Sequence, residues 1–252
     1  MDPKVEMLKS LGNADPVVAY KAYYSLEIAA LAFTAPGRTA VREEMATFLA
    51  GELNATDPGG KDAQGKNKPP VPRYTIAVRR QIIQLLGYVG GAAEVPALAA
   101  ALKNLELREA ARCALEVNPS AEATDALLAA LDDVGPEFRV GVVNALGTRG
   151  GEKVVKALQG LVNDEDREVR IAAAYALARI GDAGSDATLV ALSKQECRLT
   201  RQAAHRARVR LADTLARRGD TVTARKIYQD IRHSEAGEPQ KKAAEIALAA
   251  MR

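Results

Sequence analysis

Apolar residues recur with helical spacing in five copies of one phrase along the chain. The second residue of each copy is an arginine, and successive arginines are 29, 31, 31 and 31 residues apart. Counted from that arginine, the apolar positions −1, +3, +6, +7 and +10 fall on one face of an α-helix. The copies are VRRQIIQLLG from Val78, LREAARCALE from Leu107, FRVGVVNALG from Phe138, VRIAAAYALA from Val169 and a degenerate TRQAAHRARV from Thr200.

A second helix is predicted after each of these, beyond a turn rich in glycine, proline or asparagine. Its marker is a leucine at position +19, namely Leu98, Leu127, Leu158 and Leu189. A helical hairpin of about 31 residues is too small to bury both of its apolar faces alone, so the hairpins must stack on one another. The pattern predicts an all-α fold, a right-handed α-solenoid of about five hairpins with divergent caps.

Four ranges make up this predicted single solenoid. Residues 1–53 form a divergent N-terminal cap, in which Tyr20, Tyr24, Ile28 and Leu31 are expected in the core. Residues 54–73 are rich in Gly, Lys and Pro and are expected to form a flexible exposed loop. Residues 74–200 hold the repeats, and residues 201–252 hold a degenerate repeat and a C-terminal cap.

The phrase VRIAAAYALARIG, from Val169 to Gly181, resembles the HEAT repeat, in the bacterial type shared with phycobiliprotein lyases. The segment from Arg210 to Ile231 is similar to a tetratricopeptide hairpin. The resemblance implies an armadillo-like helical protein that binds other proteins. HEAT-like folds also include bilin lyases and DNA glycosylases, so an enzyme of this type remains an alternative.

The recurrent arginines are interpreted as structural. Acids stand shortly before several of them, such as Asp133 and Asp164, and the sequence predicts a ladder in which each arginine bridges a loop acid. The predicted ladder consists of Arg79, Arg108, Arg139 and Arg170.

Composition argues against a catalytic or metal centre. The chain has 252 residues with a net charge of +3, 2 Cys, 2 His and no Trp. No Cys/His cluster has zinc spacing, and no Ser, Thr or Cys has an identifiable base, so we expect no metal, no cofactor and no enzymatic activity. The longest apolar stretch without a charge, Ile28–Gly37, is too short to cross a membrane, and no leader is recognisable, so a cytoplasmic location is expected.

Two surfaces are candidates for binding. The outward positions of the second helices carry charges of alternating sign, which suit a partner protein better than a polyanion. The C-terminal region from Glu196 to Arg252 has 13 basic and 7 acidic residues, so a nucleic-acid adaptor is a less favoured alternative. The predicted groove consists of Lys103, Glu122, Asp125, Asp132, Lys153, Lys156 and Lys194, and the basic patch of Arg206, Arg208, Arg210, Arg217 and Arg218.

Overall fold

The computed structural model describes residues 3–251, so the ends of the predicted caps at Met1, Asp2 and Arg252 lie outside it. The described residues form fourteen α-helices, one 3-10 turn and a hairpin of two very short strands. The chain divides into two compact units, Met1–Leu127 and Leu128–Arg252, and the boundary falls within one helix, α7.

The N-terminal unit contains three helices, a β-hairpin, and then helices that follow the repeat. The first three helices are α1 (Pro3–Ser10), α2 (Pro16–Phe33) and α3 (Thr39–Leu53). The strands are β1 (Thr56–Asp57) and β2 (Val71–Pro72). The remaining elements are α4 (Ile76–Val89), a 3-10 turn (Ala92–Glu94), α5 (Val95–Leu102), α6 (Arg108–Val117) and the start of α7 (Ala121–Asp133).

The C-terminal unit begins with the end of α7 and continues the alternation of first and second helices. Its helices are α8 (Pro136–Arg149), α9 (Glu152–Leu161), α10 (Arg167–Ile180), α11 (Ser185–Leu192), α12 (Arg198–Arg217), α13 (Thr221–His233) and α14 (Glu238–Ala250).

The buried faces of the helices coincide with the predicted apolar stripe. In α4, all five stripe positions are at most 2% exposed, and the four marker leucines of the second helices are fully buried. Asp166 begins α10 by accepting hydrogen bonds from the N–H groups of Glu168 and Val169, and Gly181 ends it in the left-handed conformation (φ 71°). The all-α solenoid class of stacked hairpins predicted from the sequence is confirmed.

The predicted core stripe of the first unit is wrong. Tyr20, Tyr24, Ile28 and Leu31 are 49–65% exposed, whereas Ala22, Leu26 and Ala30 are the buried residues of α2. Nearly every position of α2 outside Lys21, Ser25 and Glu27 is apolar, so the sequence does not distinguish its two faces. Ala22, Leu26 and Ala30 face the neighbouring helices, whereas Tyr20 and Tyr24 face solvent and Tyr23 is half-buried.

Residues 54–73 form an ordered hairpin rather than an unstructured loop. β1 and β2 pair in antiparallel fashion, and a further bridge joins Lys61 to Asn67. At the base, Arg73 forms ion pairs at 2.9 Å with both Glu52 and Asp57.

The C-terminal elements differ from expectation in two places. The degenerate fifth copy and the first half of the tetratricopeptide-like hairpin are one continuous 20-residue helix, α12. The spacing of Ala243, Ile246, Ala247 and Ala250 predicts one core-facing side of α14, but the buried residue is Ala244 and Ile246 is 63% exposed. In the tetratricopeptide-like hairpin, the apolar residues spaced to pack across the turn at Gly219 are all buried, namely Leu211, Leu215, Ala224 and Tyr228.

Three of the five recurrent arginines bind backbone carbonyl groups rather than the predicted loop acids. Arg79 donates to the Leu53 carbonyl at 3.0 Å, and Arg170 donates to the Asp164 and Glu165 carbonyls at 2.7 and 3.0 Å. Arg201 likewise binds the Gln195 carbonyl at 3.1 Å.

One recurrent arginine does follow the prediction. Arg139 forms an ion pair with Asp164 at 2.9 Å, and it also donates to the Val134 carbonyl. The acids Asp132 and Asp133, which stand in the sequence where helix-capping acids are common, belong to the last turn of α7, and the N-cap residue of α8 is Gly135.

Neighbouring first helices approach very closely at one small-residue contact. An added Cβ at Gly147 in α8 would lie 2.7 Å from Cβ and 3.0 Å from Cα of Ala176 in α10. The equivalent glycine of an earlier repeat, Gly87 in α4, has more room, since its nearest neighbour in α6 is Cα of Ala114 at 3.6 Å.

Candidate functional site

The seven predicted groove residues all lie on or just after second helices, and all seven are exposed. In the N-terminal unit, Lys103 follows α5, and Glu122 and Asp125 lie in the first half of α7. In the C-terminal unit, Asp132 lies at the end of α7, Lys153 and Lys156 lie in α9, and Lys194 follows α11. Each unit therefore presents both basic and acidic side chains from its second helices.

The predicted basic patch does not include Arg208. The Arg208 side chain is only 3% exposed and forms a two-pronged ion pair with Asp186 of α11, at 2.7 Å and 3.1 Å. Asp230 of α13 adds a longer contact at 3.9 Å. Successive residues in a helix are 100° apart, so Arg208 points almost opposite to Arg206 and Arg210.

Three of the other patch arginines converge on a pocket in the C-terminal unit. Arg210, Arg217 and Arg218 of α12 line a space of about 290 Å³ with Thr214 and with Arg179 of α10. Arg206 is exposed on the same helix but does not line this pocket. The sequence does not predict Arg179 as part of the basic patch, because it lies 31 residues before Arg210 and belongs to the preceding repeat.

The turn after α10 fixes one wall of this pocket, which we name the arginine pocket. Gly181 lies so close to α12 that an added Cβ would be 2.6 Å from Thr214 Cγ2 and 2.8 Å from Arg218 Nη1. Arg218 donates a hydrogen bond to the Ile180 carbonyl, and Arg179 donates to Thr148 Oγ1 at 2.9 Å. A larger residue at position 181 would therefore push α12 and its arginines away.

Comparison with protein families matches residues 124–208 to HEAT repeats. This stretch of the chain is similar to HEAT repeats. The match covers the end of the N-terminal unit and the α8–α11 hairpins, and it reaches into α12 as far as Arg208. Comparison with curated proteins gives no match.

Among solved structures, the chain is similar to helical repeat proteins at low identity. One is the complex of CpcE and CpcF of phycocyanin lyase from a Nostoc species, with 19% identity, 100% of this chain and 95% of that chain covered, and a TM-score of 0.44. Another is human deoxyhypusine hydroxylase in complex with glycerol, with 17% identity, 97% and 94% coverage, and a TM-score of 0.38. A designed armadillo repeat protein in complex with a (KR)4 peptide has 16% identity, full coverage of both chains and a TM-score of 0.29. These similarities transfer no residue role to this chain.

The two cysteines, Cys113 and Cys197, are free thiols with different environments. Cys113 lines a pocket of about 620 Å³ between α4 and α6, and burial, the largest influence, raises the pKa of its thiol. Cys197 precedes α12. Although its sulfur makes no well-aligned capping hydrogen bond, the Thr200 hydroxyl and the nearby backbone N–H groups lower its pKa to about 7.

An exposed apolar surface on α2 of the N-terminal unit was not predicted from the sequence. Val17, Tyr20, Tyr24, Ile28 and Leu31 lie along one face of α2 at helical spacing and are 49–65% exposed. The rings of Tyr20 and Tyr24 stack with their centroids 6.0 Å apart. Because α2 is apolar on nearly all sides, its sequence contains no signal that distinguishes the exposed face from the buried one.

Among the residues that the structure describes, no group of three or more His, Cys, Asp or Glu side chains is placed to hold a metal ion. None of the helices described combines the length and apolar character needed to cross a bilayer.

Proposed function

We propose that the chain is a non-enzymatic scaffold that binds a partner protein through the polar faces of its second helices. The observation that carries the proposal is the exposure of all seven charged groove positions, while the marker leucines of the same helices are fully buried. Stacked repeats offer a broad surface on which many modest contacts add up.

The charges on this surface favour a protein over a polyanion. Four of the seven positions are basic and three are acidic, and both signs occur in each unit. Nucleic acid is bound chiefly through basic side chains on its phosphates, and acidic side chains would oppose that contact. A protein surface of mixed charge can satisfy both signs, and such pairs contribute mainly to specificity and association rate.

The test uses a charge reversal on the C-terminal unit. Lys156 in α9 and Lys194 after α11 are exposed, and these two helices contact each other. The variant K156E/K194E should lose partner proteins that the wild-type chain captures from cells of the native organism. The matched control K226E/K242E makes the same charge change at exposed positions of α13 and α14 and should retain them.

Cross-linking supplies the second readout. Amine-reactive cross-links between the chain and a captured partner should include Lys156 or Lys194, and they should vanish in the variant. Recovery of the same proteins by wild type, variant and control alike would show that binding uses another surface. A substrate turned over by the purified wild-type chain would refute the non-enzymatic part of the proposal.

A further inference from the structure

The arginine pocket brings four positively charged side chains together with no acidic side chain in its lining. Its lining residues are Arg179, Arg210, Thr214, Arg217 and Arg218. Bringing several guanidinium groups to one place is unfavourable, because like charges repel. An arrangement of this kind needs a physical explanation.

Two of the four arginines have structural partners. Arg179 donates from Nη1 to Thr148 Oγ1 at 2.9 Å and to the Asn144 carbonyl at 3.3 Å, near the end of α8. Arg218 donates to the Ile180 carbonyl in the last turn of α10. The partial negative charge at a helix C-terminus favours a cation there, so these contacts account for both positions. They also hold the two guanidinium groups in place at the pocket wall.

The other two arginines are not explained by structure. Among the described residues, no hydrogen bond or ion pair involves the Arg210 guanidinium, and Arg217 contacts only Thr214 Oγ1, at 3.3 Å. The Thr214 hydroxyl itself donates to the Arg210 carbonyl at 2.9 Å, so its oxygen can still accept. Most donors of Arg210 and Arg217 therefore remain available to a ligand.

We propose that the arginine pocket binds a phosphate group. Arg210, Thr214, Arg217 and Arg218 stand at i, i+4, i+7 and i+8 of α12, which places them on one face of the helix. Planar guanidinium groups match the spacing of phosphate oxygens and bind them with paired, charge-assisted hydrogen bonds. The site is separate from the scaffold surface and does not depend on that proposal.

The size of the pocket limits what the phosphate can carry. A volume of about 290 Å³ lies at the lower end of the range for small-molecule sites. It fits inorganic phosphate, pyrophosphate or the phosphorylated end of a larger molecule whose remainder stays outside.

The test is calorimetric titration of the full chain with pyrophosphate at near-physiological salt, where long-range attraction is screened. The wild type should bind one equivalent. The variant R210Q/R217Q should bind at least about tenfold more weakly, because each lost charge-assisted hydrogen bond is worth roughly that factor. Neither side chain supports another element, so circular dichroism of the variant should match that of the wild type.

The matched control is R198Q/K226Q, which removes the same charge at exposed positions of α12 and α13 away from the pocket. It should bind pyrophosphate as the wild type does. Equal weakening of both variants would overturn the proposal, since general charge would then explain the binding. Unchanged binding by R210Q/R217Q, or no binding by the wild type at millimolar pyrophosphate, would overturn it as well.

Two further titrations separate the sources of the phosphate. A nucleoside diphosphate that binds more tightly than pyrophosphate, with the same loss in R210Q/R217Q, would support the pocket and assign it to a nucleotide. Equal affinity would support an inorganic anion. Binding of a short single-stranded RNA without any binding of pyrophosphate would overturn the pocket proposal in favour of a surface that follows a nucleic-acid backbone.

Discussion

Replacing Gly147 with alanine should separate two helices of the C-terminal unit. The new Cβ would lie 2.7 Å from Cβ of Ala176. Carbon atoms in contact normally lie about 3.5–4.0 Å apart, so α8 and α10 would have to separate locally by roughly 1 Å. Overpacking of this kind costs about 1–3 kcal/mol, whereas the higher helix propensity of alanine contributes about 1 kcal/mol in the opposite direction.

Gly87 provides the matched control, because it occupies the same place in its repeat, eight residues after the recurrent arginine. Its Cβ would meet Ala114 Cα at 3.6 Å and no atom closer, which is ordinary contact. Gly87→Ala should therefore keep most of the propensity gain of about 1 kcal/mol. Gly147→Ala should lose about 1 kcal/mol, so the two variants should differ in free energy of unfolding by about 2 kcal/mol.

The assay is urea unfolding followed by circular dichroism, with each variant compared with the wild type in the same transition. Adding Ala176→Gly to Gly147→Ala should restore stability, with a coupling energy of at least about 0.5 kcal/mol. If Gly147→Ala stabilises the chain as much as Gly87→Ala does, the close approach of α8 and α10 is not a real constraint and the reasoning fails.

Three further predictions concern single side chains of the C-terminal unit. Asp186→Ala should lower the free energy of unfolding by about 3 kcal/mol, because it leaves the buried Arg208 without its main ion-pair partner. Urea unfolding measures this loss, and adding Arg208→Met should recover part of it. Cys197 should react with a thiol reagent with an apparent pKa of about 7, and at neutral pH it should react faster than Cys113, whose pKa is raised. Mass spectrometry of the labelled chain measures the two rates separately, and equal rates would contradict the prediction. Burial lowers the pKa of His205 below its unfolded value of about 6.5, so its contribution to stability should be full above that pH and should decline as the pH falls below it. In a His205→Gln variant, the free energy of unfolding should depend less on pH in this range. An unchanged dependence would exclude this role.

The repeat could be predicted because its two markers are independent of loop detail. The recurrent arginine and the leucine at +19 fixed the first and second helices, and those leucines are buried as expected. The face of α2 could not be predicted, since an apolar helix gives no contrast between its sides. The choice of Ala22, Leu26 and Ala30 as the buried face depends on the shape of the neighbouring helices.

The arginine pocket was only partly visible in the sequence. A count of basic residues identified Arg210, Arg217 and Arg218, but such a count ignores the direction in which each side chain leaves the helix axis. Two residues along a helix turn the side chain by about 200°, which takes Arg208 out of the surface group. Arg179 enters the pocket from the preceding repeat, and only tertiary packing brings it there.

The pairing of repeat arginines with carbonyl oxygens has a consequence for how such arrays diverge. A carbonyl is supplied by any amino acid, so the turns that receive Arg79, Arg170 and Arg201 can exchange side chains freely without losing the bond. Guanidinium groups in general keep their charge over a wide range of pH, and an amide oxygen has no proton to gain. These arginine–carbonyl hydrogen bonds should therefore tolerate both mutation of the loops and wide changes of pH, while the neighbouring surfaces acquire new binding specificities.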